Sequence, residues 1–291
     1  MKVSDYNDSM KVSYVSIIIN FVLSFFKFIS GIIGKSSAMV SDAVHSLSDV
    51  LSTIIVIIGI KFSTKKSDDT HQYGHERFES IATLFLSVIL VITSLGIGYT
   101  GITKVISGIN GDIKTPSMIA LVAAIVSILI KEWMYQFTKK VAIKVNSSAL
   151  LADAWHHRSD ALSSIGSLIG IIGARIGFPI LDPIMSIVIC IVILKVSIEI
   201  LVDAIYKLVD KSCDENIIEE MKIIINNVEG VLQLDLLQTR LFGSKIYVDV
   251  EVSADKNKTL EEAHEIAHVI HDKIEDKYEN VKHCMVHVNP K

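Results

Sequence analysis

Two passages decide the fold: SSAMVSDAVHSLSDVLS at 36–52 and SSALLADAWHHRSDALS at 147–163. Both open with Ser-Ser-Ala. Both then place an Asp (Asp42, Asp153), a His (His45, His156) and a second Asp (Asp49, Asp160) at matching positions. In a helix this spacing puts the three side chains on one face. Each passage begins a long apolar run. Ionisable groups inside such a run are costly, so they mark function before structure.

The surrounding composition is that of a membrane protein. Half of the 291 residues are hydrophobic and the mean hydropathy is +0.48, too apolar for an ordinary soluble domain of this size. Six segments are long enough to span a bilayer, which takes about 20 residues. They lie near 12–33, 38–62, 79–101, 117–138, 148–174 and 180–204. Charge divides the chain. From Ser212 onward 16 acidic residues face 9 basic ones, a net of -7, whereas the earlier part is +3. The expected organisation is a transmembrane domain over 1–211 and a soluble domain over 212–291. The first apolar run has no small-residue cleavage site after a short core, so it is expected to be retained as a span. Cys190, Cys213 and Cys284 lack CxxC spacing and indicate neither a disulfide framework nor a thiolate zinc site.

Basic residues give the orientation. Lys2 and Lys11 precede span 1. Lys65, Lys66 and Arg77 follow span 2, and Lys139, Lys140 and Lys144 follow span 4. The other side has Lys35, Lys104, Lys114 and Arg175. The positive-inside rule then puts both ends in the cytoplasm of a multi-pass protein of the cell (inner) membrane. Spans 2 and 5 run antiparallel, making the two passages an inverted repeat with its site at mid-membrane. The His/Asp motif lies about 12–18 Å along the helix from the Ser pair, near the middle of a ~30 Å hydrocarbon core.

The soluble part reads as α-β-β-α-β. A helix at 213–227 is followed by strands at 234–241 and 245–252, a helix at 259–278 and a strand at 281–288. This order is that of a small α+β sandwich.

His45, Asp49, His156 and Asp160 supply two imidazoles and two carboxylates, the donor number of a tetrahedral divalent ion. The two carboxylates balance a +2 charge. Because ligands must shed protons to bind metal, such a site exchanges metal for H+. Asp42 and Asp153 are placed to line the access route or to cap, and His157 and Arg158 lie off the ligating face. A pair of structural His–Asp contacts locking two helices is the plainer alternative.

The two His-x3-Asp pairs, with their Ser-Asp-Ala and Arg-Ser-Asp-Ala-Leu-Ser-Ser surroundings, resemble the cation diffusion facilitators, a family of divalent metal exporters. The resemblance covers essentially the whole chain. It implies a homodimer, alternating access, metal/proton antiport and a ferredoxin-like, metallochaperone-type cytosolic domain. It carries Asp68, His71 and His75, in the loop after span 2, over as a second metal site. It carries Arg77 and Asp210 over as an ion pair near the dimer interface. In the cytosolic domain the matching metal positions are Asp249, His264, His287 and Asp235, although Asn289 stands where other members have a carboxylate.

The expected activity is therefore proton-coupled efflux of divalent transition metal. Zn2+ comes first on the His2Asp2 set, with Fe2+, Mn2+, Cd2+ and Co2+ as alternatives. The His-Arg-Ser-Asp wording at 157–160 also resembles members linked to iron and manganese. Divalent ions would act as substrate and regulator, and lipids and protons as the other partners, with no nucleic acid. Two readings from other classes stay open. One is a membrane metal sensor or scaffold that does not transport. The other is a metalloprotease built on the HExxH string His264-Glu265-Ile266-Ala267-His268.

Overall fold

The computed structural model describes residues 3–33, 37–106, 118–175, 178 and 180–291. The chain forms two compact units, Met1–Ala204 and Ile205–Lys291. The elements described in the first are helices: α1 (Val3–Ile33), α2 (Ser37–Ser63), α3 (Arg77–Ile106), α4 (Met118–Val145), α5 (Ser148–Arg175) and most of α6 (Leu181–Leu208). After α6 come α7 (Glu215–Asn226), β1 (Gln233–Phe242), β2 (Lys245–Ala254), α8 (Leu260–Lys277) and β3 (Val281–Pro290), the α-β-β-α-β order expected.

The first unit is inside out relative to a water-soluble bundle. Phe21, Val22, Phe25, Leu51, Phe85 and Ile92 are exposed, while Ser13, Ser16, Asn20, Thr53, Ser87 and Ser94 are buried. That is the distribution selected when hydrocarbon is the solvent and polar side chains work between helices. Among the described residues, stretches long and apolar enough to cross a membrane occur in α1 (Ser4–Ile29), α3 (Arg77–Thr103) and α6 (Pro183–Leu208). The helices α2, α4 and α5 are of similar length, and they carry the charged groups described below.

Helix α1 starts at Val3, well before the apolar run at 12–33. Its first turns have their own anchors. Asp8 Oδ2 accepts from Lys144 Nζ at the end of α4 over 2.5 Å. Met10 and Val12 join Val56, Ile60, Ala82, Leu86, Val145 and Leu150 in one apolar cluster, with Tyr6 packed on it. Helices α2 and α3 approach closely in this region. Gly59 faces Ala82, and a Cβ at residue 59 would collide with that of Ala82. Small residues at such crossings let membrane helices pack backbone to backbone.

In the second unit β1 and β2 form an antiparallel hairpin, turning through Gly243 at φ +64°, while β3 lies parallel to β2 on its other side. Alternation along β2 sends Val248, Val250 and Val252 into a core with Met221, Ile225, Ile266, Ile270 and Ile274 of α7 and α8. Both helices cover that one face. A capping box starts α8: Glu262 N–H donates to Thr259 Oγ1 (3.2 Å), and Thr259 N–H donates back to Glu262 Oε2 (2.7 Å).

Candidate metal centre

Helix α5 places His156 and Asp160 one turn apart, and α2 brings Asp49 beside them. One ligand atom from each of Asp49, His156 and Asp160 lies within 4.8 Å of the others. His156 Nε2 is 3.3 Å from Asp49 Oδ1. Asp49 and His156 are buried and Asp160 is nearly so. The equivalent halves of the internal repeat thus converge on one point between α2 and α5. His45 sits on α2 one turn before Asp49, but its side chain, like that of Asp42, lies outside the described residues.

A fourth group completes the cluster. Lys131 of α4 is 2% exposed, and its Nζ donates to Asp49 Oδ2 at 2.6 Å and to Asp160 Oδ2 at 2.8 Å. Sequence reasoning misses it. The available signal is a lysine well inside a candidate span, which the cost of a buried charge makes conspicuous. Beside it, Glu132 receives a hydrogen bond from Arg158 Nη1 (3.0 Å), and the Arg158 guanidinium lies over the Tyr135 ring, 4.4 Å from its centre. His157 is not one of that group of three. It is fully buried, with Nε2 3.6 Å from Asp153 Oδ2. Thr53 Oγ1 donates to the other Asp153 oxygen at 3.3 Å. Asp153 and His157 therefore form a separate buried pair on α5.

The loop between α2 and α3 brings Asp68, His71 and His75 together as a second group of three ligands. Asp68 is the hub. It accepts from Lys65 Nζ (2.6 Å), from Thr70 Oγ1 (2.8 Å) and from the backbone N–H of Thr70 and His71 (3.1 and 2.9 Å). The Lys65 bond first, then those from Thr70 and His71, hold its carboxyl well below the usual carboxylate range. Gly74 at φ +98° makes the turn that folds His75 back, so that its ring centre is 4.5 Å from that of His71. Arg77 lies at the start of α3, in the first unit, and Asp210 just after α6, in the second, at φ +62°.

The histidines of the second unit are spread out. Asp249 alternates with the core-facing Val248 and Val250, so it is on the sheet face away from the helices. His287 is opposite Glu251 in the β2–β3 register. His264 is exposed on α8. Asp235 accepts from Ser253 Oγ (2.6 Å) and Asn289 Nδ2 (3.3 Å), which lower its pKa. Among the described residues of one protomer, these four do not form a group of three ligands. In the HExxH string, His268 Nδ1 is 3.0 Å from Asp272 and both groups are exposed.

Residues 13–209 match the model of the cation efflux transmembrane domain, and 213–291 that of the cation efflux protein cytoplasmic domain. This chain is a cation diffusion facilitator. It is a multi-pass membrane protein whose family moves divalent metal out of the cytoplasm, a transport function rather than an enzymatic one. The facilitator is 34% identical over 275 residues to an uncharacterized transporter of Methanocaldococcus jannaschii, covering 94% of this chain and 96% of that one. It is 34% identical over 289 residues to the manganese efflux system protein MneP of Bacillus subtilis (97% and 96% covered). It is 32% identical over 280 residues to the magnetosome protein MamB of a Magnetospira species (96% and 94%).

Proposed function

We propose that this facilitator is a metal/proton antiporter that carries a divalent transition metal through Asp49, His156 and Asp160, with His45 as the fourth ligand. The observation that carries this reading is the convergence of Asp49, His156 and Asp160, from two helices and both halves of the repeat, inside an apolar bundle. Two carboxylates match the charge of one divalent ion, and all the donors must be free of protons to bind it. In this reading residues 1–211 are a six-span transport domain and 212–291 a cytosolic dimerisation and regulatory domain. Both chain ends are cytoplasmic, and the working form is a homodimer with Arg77 and Asp210 near its interface. Asp68, His71 and His75 form a second, more open site. Asp249, His264, His287 and Asp235 take metal where two protomers meet.

Zn2+ is the first choice for a set of two imidazoles and two carboxylates. Mn2+ has a specific observation behind it, since MneP is named a manganese efflux system and the two carboxylates make the site rich in oxygen. Flux into proteoliposomes under an imposed pH gradient separates them, testing Zn2+, Mn2+, Fe2+ and Cd2+ side by side. Gradient-dependent movement of one of these ions, lost in His156→Ala, is the expected result. Binding without flux would make the protein a sensor or scaffold.

A further inference from the structure

Lys131 holds one oxygen of each of the two carboxylates that a metal would need. Its ammonium bridges Asp49 Oδ2 (2.6 Å) and Asp160 Oδ2 (2.8 Å), and the lysine is buried with them. A metal bonded to Asp49 Oδ2 at about 2.0–2.2 Å would lie no more than about 5 Å from that ammonium. In a buried site of low dielectric, a +1 and a +2 charge at that separation repel strongly. The two cations therefore exclude one another.

The balance of charge differs from that of a structural ion pair. A structural pair matches one base with one acid, whereas here one ammonium bridges two carboxylates. A divalent ion in its place neutralises both. The lysine's four-carbon stem is flexible, so the ammonium can leave and return without any movement of the α4 backbone. It is also a point charge, without the planar fork that would lock an arginine onto paired carboxylates.

We propose that Lys131 is a tethered competitor for the transported ion. Its ammonium and the metal alternate on Asp49 and Asp160, so loading requires Lys131 to withdraw and its return helps to expel the metal. This weakens binding, and it speeds release from a site that would otherwise hold its cargo too long. No change in the protonation of Lys131 is needed. The inference rests on the reading of Asp49, His156 and Asp160 as the metal site.

The test is calorimetric titration of the purified full-length chain in detergent with Zn2+ and, separately, Mn2+, on wild type, Asp49→Ala, Lys131→Gln and Lys131→Arg. Asp49→Ala should lose one metal equivalent. If it loses none, the site reading fails and the proposal falls with it. With that equivalent established, Lys131→Gln should bind it about tenfold or more tightly, a tightening of about 1.4 kcal/mol or more. It should also lower both KM and kcat for flux. Lys131→Arg, whose fork grips both carboxylates, should bind metal more weakly than wild type and serves as the second variant if Lys131→Gln does not fold. Unchanged or weaker metal binding in Lys131→Gln, or unchanged binding in Lys131→Arg, would overturn the competitor role and leave the site reading standing.

Discussion

Removing the ammonium at position 131 should cost the first unit much of its stability, and removing one carboxylate should restore part of it. In Lys131→Met, Asp49 and Asp160 face each other without the bridging ammonium, with ligand atoms within 4.8 Å. At an effective dielectric constant of about 20, two unit charges at that distance repel by about 3.5 kcal/mol. That agrees with the roughly 3–5 kcal/mol typical of breaking a buried ion pair from one side. For a unit of this size about 1 kcal/mol shifts Tm by roughly 2–4 °C, so Lys131→Met should melt about 7–14 °C below wild type. Asp49→Asn alone leaves Lys131 on Asp160 and should cost less. The double variant Asp49→Asn/Lys131→Met should melt above Lys131→Met, because only one carboxylate remains. The assay is thermal unfolding of the full-length protein in detergent with a chelator present, run as a double-mutant cycle. A Lys131→Met protein within 2 °C of wild type (a shift well under that expected from about 1 kcal/mol), or a double variant no more stable than Lys131→Met, would refute the electrostatic account.

Two further predictions concern groups outside the bundle. Burial, and then the hydrogen bond to Glu220, push the Tyr278 phenol up to about 12. A raised pKa means the folded state keeps the proton, so this contribution is intact below about pH 10 and is lost as pH rises through the folded value. Alkaline melts should therefore show wild type losing stability between those values more steeply than Tyr278→Phe. Asp68 is the opposite case. Its lowered pKa makes the clasp of the α2–α3 loop intact above the ordinary carboxylate pKa of about 3.9 and lost as pH falls through the lower folded value. Amide exchange at His71 should thus be slower in wild type than in Asp68→Asn at pH 5–7, near the range where the carboxylate is fully charged, and the two should converge only in strong acid.

Much of this was legible because membrane helices and alternating strands leave periodic traces. The α-β-β-α-β order follows from Ile246, Val248, Val250 and Val252 alternating on β2 and from the polar turns between elements. The pairing of Asp49 with His156 and Asp160 was legible through the repeat, since matching positions on antiparallel helices reach the same depth. Other features needed the tertiary structure. Lys131 belongs to neither copy of the motif, and only packing of α4 against α5 brings it to the carboxylates. The early start of α1 depends on Asp8 meeting Lys144, which lies far along the chain. A strand pattern gives no pairing partner, so the parallel placement of β3 beside β2 was not readable. Asp249 and His264 look equivalent as candidate ligands in the sequence, yet the pleat of β2 and the packing of α8 put them on different surfaces of one protomer.

The parallel pairing of β3 also has a consequence for how the protein is made. Chains emerge from the ribosome N-terminus first, and domains tend to fold as units in that order. Helices α1–α5 and most of α6 precede the second unit, and within that unit the β1–β2 hairpin forms from neighbouring residues. Strand β2 nevertheless keeps one edge unpaired until residues 281–290 have emerged and crossed back over α8. The helical unit must therefore enter the membrane and hold together during a period when the second unit cannot yet be finished. A released chain truncated between α8 and β3 would present that bare edge of β2, the kind of surface with which strands from other molecules pair. A chain that lacks residues 281–290 is thus left with an open strand edge in its second unit.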